Sequence, residues 1–191
     1  LKQLGSAYMQ FIPIVERHAQ TQSVTDFSVP SEGYGQFLVD VFREWYEHDV
    51  GKIYVSQFDN LLGQWLGYPS TTCVHQPTCG QSLVTEANGD VYACDHFVYP
   101  EYKVGNLTQQ PLTEIVLSSK QQQFGLEKLQ KLTALCQRCE FRKLCYGGCP
   151  KHRFVSLENE PNPHNYLCAS YRYFFEQTAP YMQAMARQIR L

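Results

Sequence analysis

Eight cysteines dominate the chemistry available to this chain: Cys73, Cys79 and Cys94, then Cys136, Cys139, Cys145 and Cys149, then Cys168. The middle four spell C-x2-C-x5-C-x3-C, with Gly147 and Gly148 between the last two. Thiolates suit soft metal ions and iron held in a sulfide cage, so eight suffice for two four-cysteine sites. The competing reading is a set of disulfides. Secreted disulfide scaffolds are short and carry export signals. A C-x2-C pair closed on itself would be strained, whereas the same spacing lets two sulfurs converge on one metal site. Spacing alone gives four plus four and leaves the partition open; Cys136, Cys139, Cys145 and Cys149 could form one site by their nearness in sequence.

The elements that must position these thiols can be read in outline. The chain has 191 residues, 43% of them hydrophobic, and a net charge of -2. That length suits one domain, or one small domain plus part of another. A pI near 6.3 carries no footprint for nucleic acid or a membrane surface, and no apolar run approaches the roughly 20 residues of a membrane span. The start, Leu1 to Gly5, has neither Met nor a signal pattern and reads as a cut through a longer protein. Residues 1–70 hold no cysteine and read as alternating strands and helices: a strand in Tyr8–Val15, a helix over 34–46 capped by Ser31, a strand at Ile53–Val55 and a helix over Phe58–Leu66. The helix face there is Phe37, Leu38, Val41, Phe42 and Trp45, which reads as ordinary core. From Ser82 to Cys94 the pattern is a β-hairpin, with Asn88-Gly89 suited to a two-residue type I′ turn. Gly105-Asn106 reads as a further turn. Helices follow over Pro111–Ser119 and Lys120–Leu135, the second broken near Gly125 with Leu129, Leu132 and Leu135 along one side, and a last one over Tyr171–Ile189 bent at Pro180.

The full cysteine order is C-x5-C-x14-C, a long gap, C-x2-C-x5-C-x3-C, a second gap, then C. With Cys94-Asp95 after the hairpin, Val104-Gly105-Asn106-Leu107, and Cys145-Tyr146-Gly147-Gly148-Cys149-Pro150, this order resembles the SPASM domain. That domain is the auxiliary-cluster part of radical S-adenosylmethionine enzymes that modify peptides and proteins. Within that group the chain is most similar to the anaerobic sulfatase-maturating enzymes. The resemblance covers about residues 73 to 170 and extends more loosely over 1 to 70.

The resemblance implies an α+β fold. Residues 1–70 would be the last strands and helices of a partial (β/α)6 barrel, 71–170 a small loop-rich SPASM domain with a hairpin and two cysteine-ligated sites, and 171–191 a C-terminal helix. It implies a crossed ligand set. Cys73, Cys79, Cys94 and Cys149 would hold one auxiliary 4Fe-4S cluster, and Cys136, Cys139, Cys145 and Cys168 a second. It implies that Asp95 is the general base that takes the substrate's proton while a cluster takes the electron; the alternative is a turn aspartate that caps a loop. His75, His96, His152 and His164 read as packing or surface residues. A third 4Fe-4S cluster, bound by C-x3-C-x2-C and carrying S-adenosylmethionine, would lie outside this chain. Cys145-x3-Cys149 runs into Pro150-Lys151-His152 and cannot supply that motif, so the chain alone should be inactive. The expected partners are a sulfatase polypeptide, whose Cys or Ser becomes formylglycine, and a flavodoxin or ferredoxin, in the cytoplasm. Three readings compete: a radical enzyme acting on another peptide, a simple ferredoxin-like electron carrier, and a module pinned by two zinc ions that grips a partner protein. In every metal reading the segment 136–149, poor in apolar residues, depends on its metal for order.

Overall fold

The computed structural model describes residues 1–190 and mixes helices with short strands. It opens with strand β1 (Tyr8–Met9), helix α1 (Gly33–His48), strand β2 (Tyr54–Val55) and helix α2 (Ser56–Trp65). β1 and β2 pair in parallel, Tyr8 opposite Tyr54 and Met9 opposite Val55, with α1 as the crossover. This βαβ unit is the extent of parallel sheet among the described residues.

Two expectations in this region need correction. The sequence face of α1 rotates: Tyr34, Leu38, Val39, Phe42 and Trp45 are buried, whereas Phe37 is 43% exposed. The cap differs as well. Glu32 stands at the N-cap without a side-chain bond. The orphan N–H of Gly35 donates to Ser170 Oγ at 2.8 Å, and that hydroxyl donates to the Ser31 carbonyl at 2.6 Å. A residue 135 positions away thus satisfies a donor that a local serine was expected to satisfy.

The middle of the chain forms an antiparallel sheet of β3 (Val84–Thr85), β4 (Asp90–Tyr92) and β5 (Lys103–Asn106), in that order. The turn between β3 and β4 is not type I′. Gly89 N–H bonds the Glu86 carbonyl at 2.9 Å, and Glu86 N–H bonds the Asp90 carbonyl at 2.9 Å. Only Gly89 has a positive φ, +85°, while Asn88 does not. That is a three-residue loop, a type I turn closed by a glycine bulge. Gly105 and Asn106 belong to the third strand and form no turn; Asn106 Nδ2 reaches Asp90 Oδ1 at 2.7 Å and locks the hairpin.

Helices α3 (Leu112–Val116), α4 (Ser119–Gln130), α5 (Ala134–Arg138) and α6 (Arg142–Cys145) follow. α4 passes Gly125 unbroken and ends before Leu132 and Leu135, which fall outside it. Strands β6 (Arg153–Val155) and β7 (His164–Asn165) pair antiparallel. Helix α7 (Cys168–Arg190) runs through Pro180 as one element. It packs along α1 and α2, and their shared core joins Leu38, Phe42, Trp45, Phe58, Leu61, Phe174, Phe175 and Met182. No described helix is long and apolar enough to cross a membrane.

Candidate metal centres

The eight thiols gather around two cavities of nearly equal size. The first, about 260 Å³, is lined by Cys73, Cys79, Cys94 and Cys149. The second, about 270 Å³, is lined by Cys136, Cys139, Cys145 and Cys168. The four sequence neighbours Cys136, Cys139, Cys145 and Cys149 are therefore not together: the last of them faces the other cavity. All eight cysteines are free, with no disulfide between them.

One face of α4 builds the first cavity. Its buried residues are Gln121, Gly125 and Lys128, at i, i+4 and i+7. Gln121 Nε2 donates to the carbonyls of Gly80, at 2.8 Å, and Ala93, at 3.2 Å, which fixes the segments next to Cys79 and Cys94. The Gly125 carbonyl accepts the Cys79 N–H at 3.1 Å. A Cβ at position 125 would sit 2.7 Å from the Cys79 carbonyl oxygen, so this approach excludes a side chain. Lys128 Nζ donates to the carbonyls of Cys73, at 2.6 Å, and Val74, at 3.1 Å. Three of the four thiols thus hang from one helix face.

The fourth arrives on a loop of unusual handedness. Tyr146, Gly147 and Gly148 all lie in the left-handed region, with φ of +48°, +71° and +62°. Such a run is costly for L-residues other than glycine. It reverses the chain between Cys145, at the end of α6, and Cys149, so that the two thiols diverge into separate cavities. Asn165 Nδ2 holds the loop from the β7 side, bonding the carbonyls of Gly147 at 3.0 Å and Cys149 at 3.2 Å.

In the second cavity Cys136 lies within α5 and Cys139 immediately follows it; Cys145 ends α6, and Cys168 begins α7. Thr133 caps α5 by accepting the Cys136 N–H at 3.3 Å, and Thr133 Oγ1 also bonds His164 Nδ1 at 3.0 Å. Cys136 Sγ lies 3.7 Å from the same nitrogen. Tyr171 lines both cavities.

Burial dominates the electrostatics. It pushes Cys94 and Cys145 up to about 12 and Cys149 and Cys168 up to about 11. It pushes His75 and His152, both at the first cavity, down to about 4, so each is a neutral imidazole at pH 7. It lowers the Lys128 ammonium, against which the Cys79 and Cys149 thiols act. Asp95 stands at the rim of the first cavity. Its Oδ1 accepts from Cys94 Sγ at 3.1 Å and from the His96 N–H at 3.1 Å. The carboxylate therefore both caps the turn after Cys94 and faces the cavity.

The donor set fits iron-sulfur groups. Each cavity offers four soft thiols, and Lys128, 1% exposed, stands at the first without a carboxylate partner among the described residues. A buried cation requires a compensating negative charge, and a thiolate-bound cluster supplies it. A single zinc ion would draw its sulfurs to about 3.8 Å from one another, given Zn–S bonds near 2.3 Å. Among the described residues no group of three or more His, Cys, Asp or Glu side chains converges on one such point; the thiols line the walls of cavities.

Comparison with known proteins agrees with this geometry. Residues 73–140 match the SPASM family, described as an iron-sulfur cluster-binding domain. The chain is 41% identical, over 98% of its length, to a serine-type anaerobic sulfatase-maturating enzyme of Bacteroides thetaiotaomicron, of which it covers 49%. It is 30% identical, over 99% of its length, to a cysteine-type anaerobic sulfatase-maturating enzyme of Clostridium perfringens, of which it covers 51%. It superposes on the solved structure of native anSMEcpe with bound AdoMet and Cp18Cys peptide with a TM-score of 0.84 at 30% identity, covering 98% of this chain and 52% of that one. The chain thus carries a SPASM-type iron-sulfur segment, and its relatives are anaerobic sulfatase-maturating enzymes of both types; it spans about half the length of the curated relatives it matches.

Sequence reasoning missed Gln121, Lys128, Arg153 and Asn165, which hold the thiols in place. Nothing in the spacing marks Lys128 or Gln121. Arg153 and Asn165 do lie within four residues of Cys149 and Cys168 respectively, and neighbourhood to a ligand was the available signal.

Proposed function

We propose that this chain is the auxiliary-cluster part of a radical S-adenosylmethionine oxidoreductase that matures sulfatases, converting an active-site Cys or Ser to Cα-formylglycine. Cys73, Cys79, Cys94 and Cys149 hold one 4Fe-4S cluster and Cys136, Cys139, Cys145 and Cys168 a second. The observation that carries this reading is the crossed gathering of the thiols, four around each of two cavities. When bound, such clusters supply one-electron redox chemistry. Full thiolate ligation leaves the iron no open position, so the protein's own groups must place the substrate and move its proton.

The first cavity has the means. Residues of the N-terminal unit, Gln10, Phe11, Pro13 and Tyr34 among them, line the side away from the thiols, and a peptide segment fits between the two. Oxidation of a thiol or alcohol carbon to an aldehyde releases the S–H or O–H proton as well as electrons. Asp95, exposed at the cavity rim, is the acceptor for that proton. The S-adenosylmethionine cluster, the sulfatase partner, an electron carrier of the flavodoxin or ferredoxin kind and a cytoplasmic setting belong to the whole enzyme in this reading; this chain alone is inactive.

Two experiments test it. Protein prepared without oxygen should hold about eight iron and eight sulfide per chain, and Cys149→Ser should remove the first cluster while leaving the second; loss of the second instead would refute the partition. In the whole enzyme, Asp95→Asn should abolish formylglycine formation with both auxiliary clusters present. Undiminished turnover would end the base assignment.

A further inference from the structure

Arg153 lies on β6, outside both cysteine sets, yet its guanidinium is spent on the loop that serves both. Nη2 donates to the carbonyls of Tyr146, at 2.8 Å, and Gly148, at 3.4 Å, and Nε to that of Gly147, at 3.1 Å. The three consecutive left-handed residues thus turn three successive carbonyls onto one cation. Nη1 donates to the Lys128 carbonyl at 2.7 Å, which ties the same group to the helix carrying the first cavity's supports. Among the described residues Arg153 has no carboxylate partner. Its charge neighbours are thiols of both sets: Cys79 and Cys149 from the first cavity, Cys136 and Cys145 from the second.

A guanidinium keeps its charge at any working pH. A fixed positive charge stabilises the more negative, reduced form of a nearby cluster and so raises its reduction potential. One cation placed between two clusters acts on both.

We propose that Arg153 is a charge link between the two cysteine cavities, a positioning residue that holds the reduction potentials of both clusters up together. This rests on the two-cluster reading above. The test is a redox titration, followed by electron paramagnetic resonance, of the full 191-residue chain loaded with iron and sulfide without oxygen. Three variants are compared with wild type: Arg153→Met, Arg153→Gln, which keeps amide donors for the carbonyls without the charge, and Arg153→Lys. Both neutral variants should lower both potentials, by about tenfold in the reduced-to-oxidised ratio at fixed potential, or about 59 mV for a one-electron couple. Arg153→Lys should stay near wild type. If the neutral variants fail to take up iron while Arg153→Lys loads, the charge is required for assembly and the link stands. A loaded neutral variant with unmoved potentials, or with only one moved, overturns the proposal. So does failure of all three variants to load, since that assigns Arg153 to clamping carbonyls alone. A wild-type chain that takes up no iron would instead refute the two-cluster reading.

Discussion

Lys128 is almost wholly buried, and its three ammonium hydrogens have two carbonyl acceptors, of Cys73 and Val74. In a metal-free chain that charge faces neutral thiols and burial works against it; with anionic thiolates in place it is compensated. Lys128→Met removes the hydrogen bonds in both states, leaving buried carbonyls at a cost of about 1–3 kcal/mol. In the metal-free chain that cost is offset by relief of an uncompensated ammonium, whereas the loaded chain also loses attraction to its cluster. Thermal melts should therefore show a larger drop in Tm for the loaded variant than for the metal-free one. Equal drops would remove the charge argument and leave only the hydrogen bonds. Such a residue is hard to read from sequence, because a lysine inside a Gln-rich helix looks like solvated surface until the packing partner is known.

The same difficulty holds for α4 as an element. Its leucines suggested an apolar face, yet Leu126 and Leu129 are 48% and 44% exposed, and the buried stripe is Gln121, Gly125 and Lys128. That stripe packs on irregular backbone, whose carbonyls and N–H groups need polar partners, so hydrophobic periodicity pointed the wrong way. The hairpin was legible because Asn88-Gly89 marks a turn in any register; its loop length was not, since Gly89 alone takes the positive φ. The four-plus-four count of thiols was legible, but their crossing rests on three left-handed residues, a backbone event that ligand spacing does not encode. Helices α5 and α6 have five and four residues, far below the length at which a helix stands alone. Removing metal should therefore expose residues 134–149 first. Amide hydrogen exchange should accelerate there by orders of magnitude while the α1–α7 core stays protected. Unchanged protection of α5 and α6 after chelation would show that packing alone holds them.

The whole molecule couples its thiols to pH. Buried cysteines raised from 9.0 to about 11 or 12 stay protonated in the folded metal-free chain after the unfolded chain has begun to ionise. Their contribution to stability is complete below about pH 9 and is lost as pH climbs through 11 to 12. Melting temperature of the metal-free chain should fall steadily above pH 9, whereas the loaded chain, its thiols already deprotonated, should lack that decline. A flat profile for the metal-free chain from pH 8 to 11 would contradict the burial of these groups. The hinge from Cys145 to Cys149 has one more consequence at this scale, for the order of assembly. Each of its ends anchors a different cavity, so whichever cavity fills first freezes the conformational freedom of a strap that the other must also freeze. The second filling then begins from a chain already shaped for it, and intermediates holding a single cluster should be scarce when native mass spectrometry follows reconstitution with limiting iron.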